Sequence, residues 1–353
     1  MPTHRIAVLP GDGIGKEVMP QAINSLHAAA KADGTFQLET QTFPWGAEYF
    51  LETGEFMPAN GLDMLRQFDA ILFTAAGHPD VTDFRSSWEF VFVIRKQFKQ
   101  YVNIRPVKSY DGVPTLLTAP DRIDMVIVRE NSEGEYAGPG GVVHADWENG
   151  VALQTSVFTR AGIERIAHYA FRLARGRRGK VTNITKSNAM LHSLVYWDRV
   201  IEEVSQQYRD IDYGIMLVDA ATMKFVQNPA FFDVIVTTNQ FGDILSDLGG
   251  AMVGSIGLSP SGNVNPERDF PSMYEPVHGS APDIAGQGIA NPIGTILSGA
   301  LMLKDLGQPA AAQRIQDAVA SVLKSGLKTR DLRGTTSTHE MGEAIAAAVR
   351  SGG

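Results

Sequence analysis

Ile6-Ala7-Val8-Leu9-Pro10-Gly11-Asp12-Gly13-Ile14-Gly15-Lys16 joins a short apolar run to a glycine turn, and Val18, Met19, Ala22, Ile23 and Leu26 follow on one helical stripe. A strand, a glycine turn and a helix open a dinucleotide-binding Rossmann unit when the turn reads G-x-G-x-x-G. Here the sixth position is Lys16, so the glycine that lets helix and strand pack closely is missing. Glu39 could stand in for the ribose-binding acid, and a Rossmann fold stays open as a second reading. Downstream the pattern predicts strands over 70–74, 124–128, 151–158, 180–185, 215–218 and 234–238. It predicts helices over 16–32, 86–100, 160–175, 188–208, 291–306 and 310–325, and over 340–350 behind a Ser337-x-x-Glu340 capping box. This alternation is that of an α/β protein.

A chain of 353 residues is long for one core and reads as about two domains. With 44% apolar and 20% charged residues the composition is that of a soluble globular protein. A net charge of −8 repels phosphate at long range, which excludes nonspecific nucleic-acid or anionic-membrane binding. Anionic ligands must be held by a local cluster of cations. The absence of cysteine excludes disulfides, thiolate metal sites and cysteine nucleophiles. Neither a signal-like N-terminus nor a membrane-length apolar run is present, so a cytoplasmic protein is expected. The basic run Arg175–Lys180 lies between a helix and a strand and reads as a solvated connection.

Asp243 and Asp247 follow the strand-like run 234–238 at i and i+4, so both carboxylates share one helix face, with roughly 5–6 Å between Cβ atoms. A divalent cation would relieve their repulsion, and all-oxygen ligation suits Mg²⁺ or Mn²⁺; a solvated helix start is the plainer alternative. Arg95 shares a helical stripe with Trp88, Val91 and Phe92, Arg105 is held extended by Pro106, and Arg129 ends an apolar strand. Forked guanidiniums at element ends suit a ligand bearing carboxylates, although each could instead form a structural ion pair. Lys186 and Asp219 stand at the ends of two more strands, and Tyr136 lies in the polar loop after Arg129.

Leu9–Gly15, Asn103–Pro106, Val128–Tyr136, Thr185–Asn188, Val218-Asp219, Asn239–Gly249 and Glu275–Asp283 together resemble the isocitrate/isopropylmalate dehydrogenase family, in family order and over nearly the whole chain. Gly77–Asp80, Phe158–Arg160, Tyr196–Asp198 and Asn265–Arg268 resemble its tartrate and decarboxylating D-malate branch. The chain departs from that branch at Ser86-Ser87-Trp88-Glu89, where Ser-Leu-Trp-Gly is usual, and at Phe84, which replaces a common histidine.

The resemblance implies an isopropylmalate dehydrogenase-like two-domain α/β fold with a mixed sheet flanked by helices, not a Rossmann fold. Residues 1–100 and 255–353 would form a large domain and 101–254 a small one. It implies NAD-dependent oxidation and decarboxylation of a small 2-hydroxy dicarboxylic acid. Asp219, Asp243 and Asp247 would hold Mg²⁺ or Mn²⁺, Arg95, Arg105 and Arg129 would grip the substrate, Lys186 would act as base, and Tyr136 would return a proton to carbon. The cofactor would rest on His278, Gly279, Ser280, Ala281, Asp283, Ile284 and Asn291, with Gly11–Gly15 structural or peripheral. An acid at Asp283 accepts ribose hydroxyls and repels a 2′-phosphate, which favours NAD over NADP. A monovalent cation such as K⁺ is a further cofactor candidate. A homodimer is implied, since Lys186 and Asp219 would come from the partner copy.

Trp88, Val91 and Phe92 offer no hydrogen-bonding group for a third carboxylate, and Trp88 is large enough to fill the cleft. Tartrate or D-malate is therefore the expected substrate, ahead of 3-isopropylmalate, isocitrate or homoisocitrate. A non-catalytic regulatory subunit is the alternative of another class.

Overall fold

The computed structural model describes residues 1–115, 117 and 123–352. Its strands are β1 (Thr3–Leu9), β2 (Gln37–Thr42), β3 (Ala70–Phe73), β4 (Val102–Lys108), β5 (Asp124–Glu130), β6 (Gly140–Val143), β7 (Val151–Gln154), β8 (Lys180–Thr185), β9 (Asp212–Leu217), β10 (Val234–Thr237), β11 (Pro260–Val264) and β12 (Ser272–Pro276). Ten form one sheet in the order β2-β1-β3-β12-β11-β4-β5-β10-β8-β9, while β6 and β7 pair as a separate hairpin. Neighbours are parallel in both outer parts of the sheet. The central pairs β12–β11, β11–β4 and β4–β5 are antiparallel. The three antiparallel pairs at its centre and a strand order unlike 3-2-1-4-5-6 exclude the Rossmann reading.

Side chains alternate across the central strands, as the period of two requires. Met125 and Ile127 pack on one face with Leu245 of the helix Asn239–Met252. Val126 and Val128 pack on the other with Ile166 and Ala170 of the helix Arg160–Arg175. The same division separates Met273 from Tyr274 on β12. The helices Gly15–Asp33, Ile293–Asp305, Pro309–Lys324 and Thr338–Ser351 build the core cluster over β1, β3 and β12. No helix among the described residues is long and apolar enough to cross a membrane.

Several expected boundaries move. The helix expected over 86–100 is two short α-helices, Asp83–Ser86 and Phe92–Gln97, joined by a π-helical turn, Ser87–Val91. Such a turn inserts a residue into the i→i−4 ladder. Strand 151–158 stops at Gln154, helix 188–208 spans only Ser193–Ser205, and strand 215–218 is the segment Asp212–Leu217. Asp219 consequently lies in the first turn of a helix, Val218–Gln227. The Ser337/Glu340 capping box forms as expected. In the basic run, Arg175 pairs with Asp210 and Arg177 with both Asp124 and Asp233.

The glycine turn after β1 is a structural hub. The Asp12 carboxylate, 1% exposed, accepts the backbone N–H groups of Ala47 at 2.7 Å, Glu48 at 2.9 Å and Gly77 at 2.9 Å. Asp12→Ala strands these donors, at about 1–3 kcal/mol for each buried unsatisfied group. Its urea unfolding midpoint should fall well below the wild-type value; an unchanged midpoint would remove Asp12 from the scaffold.

Candidate active site

Arg105 on β4, Arg129 on β5 and Glu275 on β12 belong to the odd-numbered face of the central strands, the face covered by the helix Asn239–Met252. That helix lies so close to β5 that a Cβ on Gly242 would sit 2.6 Å from Arg129 Cβ. Its first two turns then present Asn239, Asp243 and Ser246 to the arginines. Arg129 donates through Nε to Asn239 Oδ1 at 2.8 Å and through Nη1 to Asp243 Oδ1. Arg105 Nη1 donates to the same Oδ1 at 3.0 Å and to Ser246 Oγ at 2.5 Å. Arg95, from the helix Phe92–Gln97, donates to Glu275 Oε1 at 2.5 Å.

All three guanidiniums are buried, with 8%, 7% and 2% exposure for Arg95, Arg105 and Arg129. They contact two carboxylates, and among the described residues Nε of Arg95 and of Arg105 have no hydrogen-bond partner. Three guanidiniums against two contacting carboxylates, with Asp247 nearby and free Nε donors on two of the arginines, suit an acidic ligand. Burial alone would raise the Asp243 pKa, but Arg129, Arg105 and Arg95 outweigh it and hold the carboxyl below its ordinary value. Asp247 moves the other way: partial desolvation and the Asp243 charge raise it despite Arg105 and Arg129.

Trp88, Val91, Phe92, Arg95, Arg105, Arg129, Tyr136 and Asp243 line one cleft of about 430 Å³ together with His278 and Gly279. The expected substrate residues and the head of the expected cofactor loop therefore meet in one place. Trp88 packs edge-on against Phe92 at 5.3 Å, and Phe92 stacks on Tyr136 at 5.8 Å. The Tyr136 hydroxyl donates to Asp243 Oδ2 at 3.4 Å, and burial followed by the Asp243 charge raises its pKa. Glu89 turns away from the cleft into a two-pronged pair with Arg85, at 2.7 and 2.8 Å. Phe84 lies at the cleft's edge, 65% exposed.

Lys186 and Asp219 bind each other at 2.6 Å and do not line this cleft. Lys186 holds the Asp219 carboxyl below its ordinary pKa. Among the described residues no three His, Cys, Asp or Glu side chains converge as a ready ligand set. Asp243 and Asp247 fit a hard divalent cation by donor chemistry, with Asp219 outside their immediate group.

The loop Gly279–Ile284, where the resemblance would place the cofactor, follows β12. His278 is buried, which lowers its pKa, and its Nδ1 lies 3.0 Å from the Gly279 carbonyl. Nδ1 must then be the donor, which leaves Nε2 as a buried acceptor with no partner. Ala281 adopts φ +42, the Asp283 side chain is exposed, and Ile284 packs on Ile14 and Val18. Asn291 is committed within the protein, its Nδ2 to Asp331 at 3.0 Å and its Oδ1 to the Ile293 N–H at 3.0 Å. Sequence reading missed Asn239, Ser246 and Glu275 as partners of the three arginines. The nearest signal was proximity to Asp243 for the first two and to His278 for Glu275.

Arg129→Lys keeps the charge but loses the fork that spans Asn239 and Asp243. Affinity for a simple dicarboxylate, measured by calorimetry, should fall by about tenfold or more; wild-type affinity would mean that Arg129 acts only as a point charge.

The isocitrate/isopropylmalate dehydrogenase family model matches residues 5–345. The D-malate dehydrogenase [decarboxylating] of Escherichia coli (strain K12) is 50% identical over 312 residues, covering 87% of this chain and 86% of that protein. The tartrate dehydrogenase/decarboxylase of Pseudomonas putida is 50% identical over 316 residues, covering 87% and 86%. Among solved structures, the isocitrate dehydrogenase from Methylococcus capsulatus superposes with a TM-score of 0.89 at 37% identity, covering 98% of this chain and 99% of that one. The order of strands, the arginine cleft and these matches agree: the chain belongs to the isocitrate/isopropylmalate dehydrogenase family.

Proposed function

We propose that this protein is an NAD-dependent, divalent-metal-dependent dehydrogenase that oxidises and decarboxylates a small 2-hydroxy dicarboxylic acid, D-malate or tartrate. The observation that carries the reading is the convergence of Arg95, Arg105 and Arg129 with Asp243 and Tyr136 in one cleft walled by Trp88 and Phe92. The excess of buried guanidinium charge calls for carboxylates. The aromatic wall supplies no hydrogen bonds for a third one, and its bulk favours a hydrogen or hydroxyl at C3 over an isopropyl group. The names of the relatives from Escherichia coli and Pseudomonas putida support the same substrate class.

In this reading the arginines bind and orient the two carboxylates, Lys186 removes the hydroxyl proton, and Tyr136, whose raised pKa keeps it protonated, delivers a proton to carbon after CO₂ leaves. Mg²⁺ or Mn²⁺ held by Asp243, Asp247 and Asp219 would lower the pKa of the substrate hydroxyl, and NAD on the loop 278–284 would accept the hydride. K⁺ is an additional cofactor to test.

The separation of Lys186 and Asp219 from the cleft supports a homodimer in which a second copy supplies both. Exposed apolar side chains favour such an interface: Leu191, Val195, Ile215, Met223, Val226 and Ile244 lie on the segments that carry Lys186, Asp219 and Asp243, and Val142, Val143, Val151 and Leu153 project from the β6–β7 hairpin. Apolar clusters that divide, apart from Val113, Tyr110 and Val264, on the two sides of the sheet's centre support a large domain (1–100 and 255–353) and a small one (101–254). A cytoplasmic location fits a small-molecule dehydrogenase with no membrane-length apolar helix among its described residues.

Steady-state NAD reduction with D-malate, L-(+)-tartrate, meso-tartrate, 3-isopropylmalate and isocitrate, each with Mn²⁺, tests the substrate. Highest kcat/KM should fall on D-malate or a tartrate, with activity lost in excess EDTA; best turnover of isopropylmalate would refute it. Shared sites predict complementation. Lys186→Ala and Asp247→Asn, each nearly inactive alone, should on random subunit exchange regain about one quarter of wild-type activity, because half the dimers then hold one intact site of two. No recovery would put all these groups in a single chain's site.

A further inference from the structure

We propose that the Gly11–Glu17 turn is a clamp that holds the cofactor loop in its binding shape, with Glu17 as the positioning residue; this rests on the NAD reading above. The turn grips the loop at both ends. At one end the Ile14 N–H donates to the Ser280 carbonyl at 2.9 Å, and a Cβ on Gly13 would lie 2.1 Å from that oxygen. Ile284 then seats against Ile14 and Val18. At the other end the Glu17 carboxylate accepts two backbone donors, Gly288 N–H on Oε2 at 2.8 Å and Gly286 N–H on Oε1. Gly286 and Gly288 have φ of +78 and +66, and Ala281 has φ +42. A segment with three left-handed residues within eight positions has many competing conformations when released. Charge-assisted bonds to backbone donors on both sides of Gln287 select one of them. The exposed Asp283 lies between the two anchored ends.

Glu17 does not line the substrate cleft, so it acts through the loop. The glycine turn that imitates a dinucleotide fingerprint thus serves the cofactor at one remove, gripping a loop contributed from the other end of the chain.

The test uses Glu17→Gln, which keeps one acceptor and removes the charge, and Glu17→Ala, which removes both. Hydrogen exchange of residues 280–290 is measured in the protein without cofactor, NAD affinity by calorimetry, and turnover by steady-state kinetics. Both variants should show faster exchange at the Gly286 and Gly288 amides, and Glu17→Ala should bind NAD about tenfold more weakly. The kcat at saturating NAD and the KM for the hydroxy acid should stay at wild-type values. Wild-type exchange or wild-type NAD affinity in Glu17→Ala would overturn the clamp, as would a parallel rise in the KM for the acid, the mark of general structural damage. A wild-type protein that fails to bind NAD overturns the cofactor reading instead, and the exchange measurement still decides whether the clamp exists.

Discussion

Arg105 and Arg129 both point at one oxygen of Asp243, and a few ångströms of polypeptide around that oxygen organise the molecule. Two guanidiniums buried side by side repel each other strongly in a medium less polar than water. The shared carboxylate, itself partly exposed, offsets part of that repulsion. The helix carrying Asp243 sits hard against the sheet, where Gly242 makes room for Arg129 on β5 and Gly249 for Val107 on β4. The Nε donors of Arg95 and Arg105, without a partner among the described residues, suit an acidic ligand. One electrostatic constraint thus sets a helix position, depresses a carboxyl pKa and selects the class of substrate.

The sheet makes that arrangement reachable. In its outer parts parallel strands are joined by helical crossovers, with β3, β8 and β10 buried and the edge strands β2 and β9 largely exposed. The three antiparallel pairs around β11 and β4 interrupt this pattern and leave a face on which odd-numbered polar residues can gather. Asn103 and Asn131 both donate to Asn263 Oδ1 at 3.0 Å, and Asn263 donates to Glu275 at 2.7 Å. Glu275 in turn holds Arg95. A row of buried amides therefore connects the strand ends behind the cleft to one of its arginines, although Asn103 Oδ1 and Asn131 Oδ1 find no partner among the described residues.

Legibility in the sequence followed the physical nature of each signal. Apolar periodicity located most helices and the apolar strands. It missed β2, β4, β6, β11 and β12; the last two, Pro260–Val264 and Ser272–Pro276, are fully buried strands that carry serine, asparagine, glycine and glutamate and are held by paired polar groups. The π-helical turn at Ser87–Val91 is likewise invisible to a 3.6-residue period, yet the stripe Trp88, Val91, Phe92 and Arg95 still reaches the cleft as a unit. Glu89 had no assignable effect from sequence; its neighbour at i−4, Arg85, takes it up.

The sequence by itself determined the α/β class, the resemblance to the family and the residue types of the site, because motif order and residue chemistry are local properties of the chain. It also raised the glycine turn as a puzzle, through Lys16 at the sixth position. Only the tertiary structure decided that Arg105 and Arg129 share Asp243, that Lys186 and Asp219 pair outside the cleft, and that the turn at residues 11–17 grips the loop at 280–288. Those contacts join segments far apart in the chain, and their partners are chosen by strand reversal and helix docking, which no local pattern of residues records.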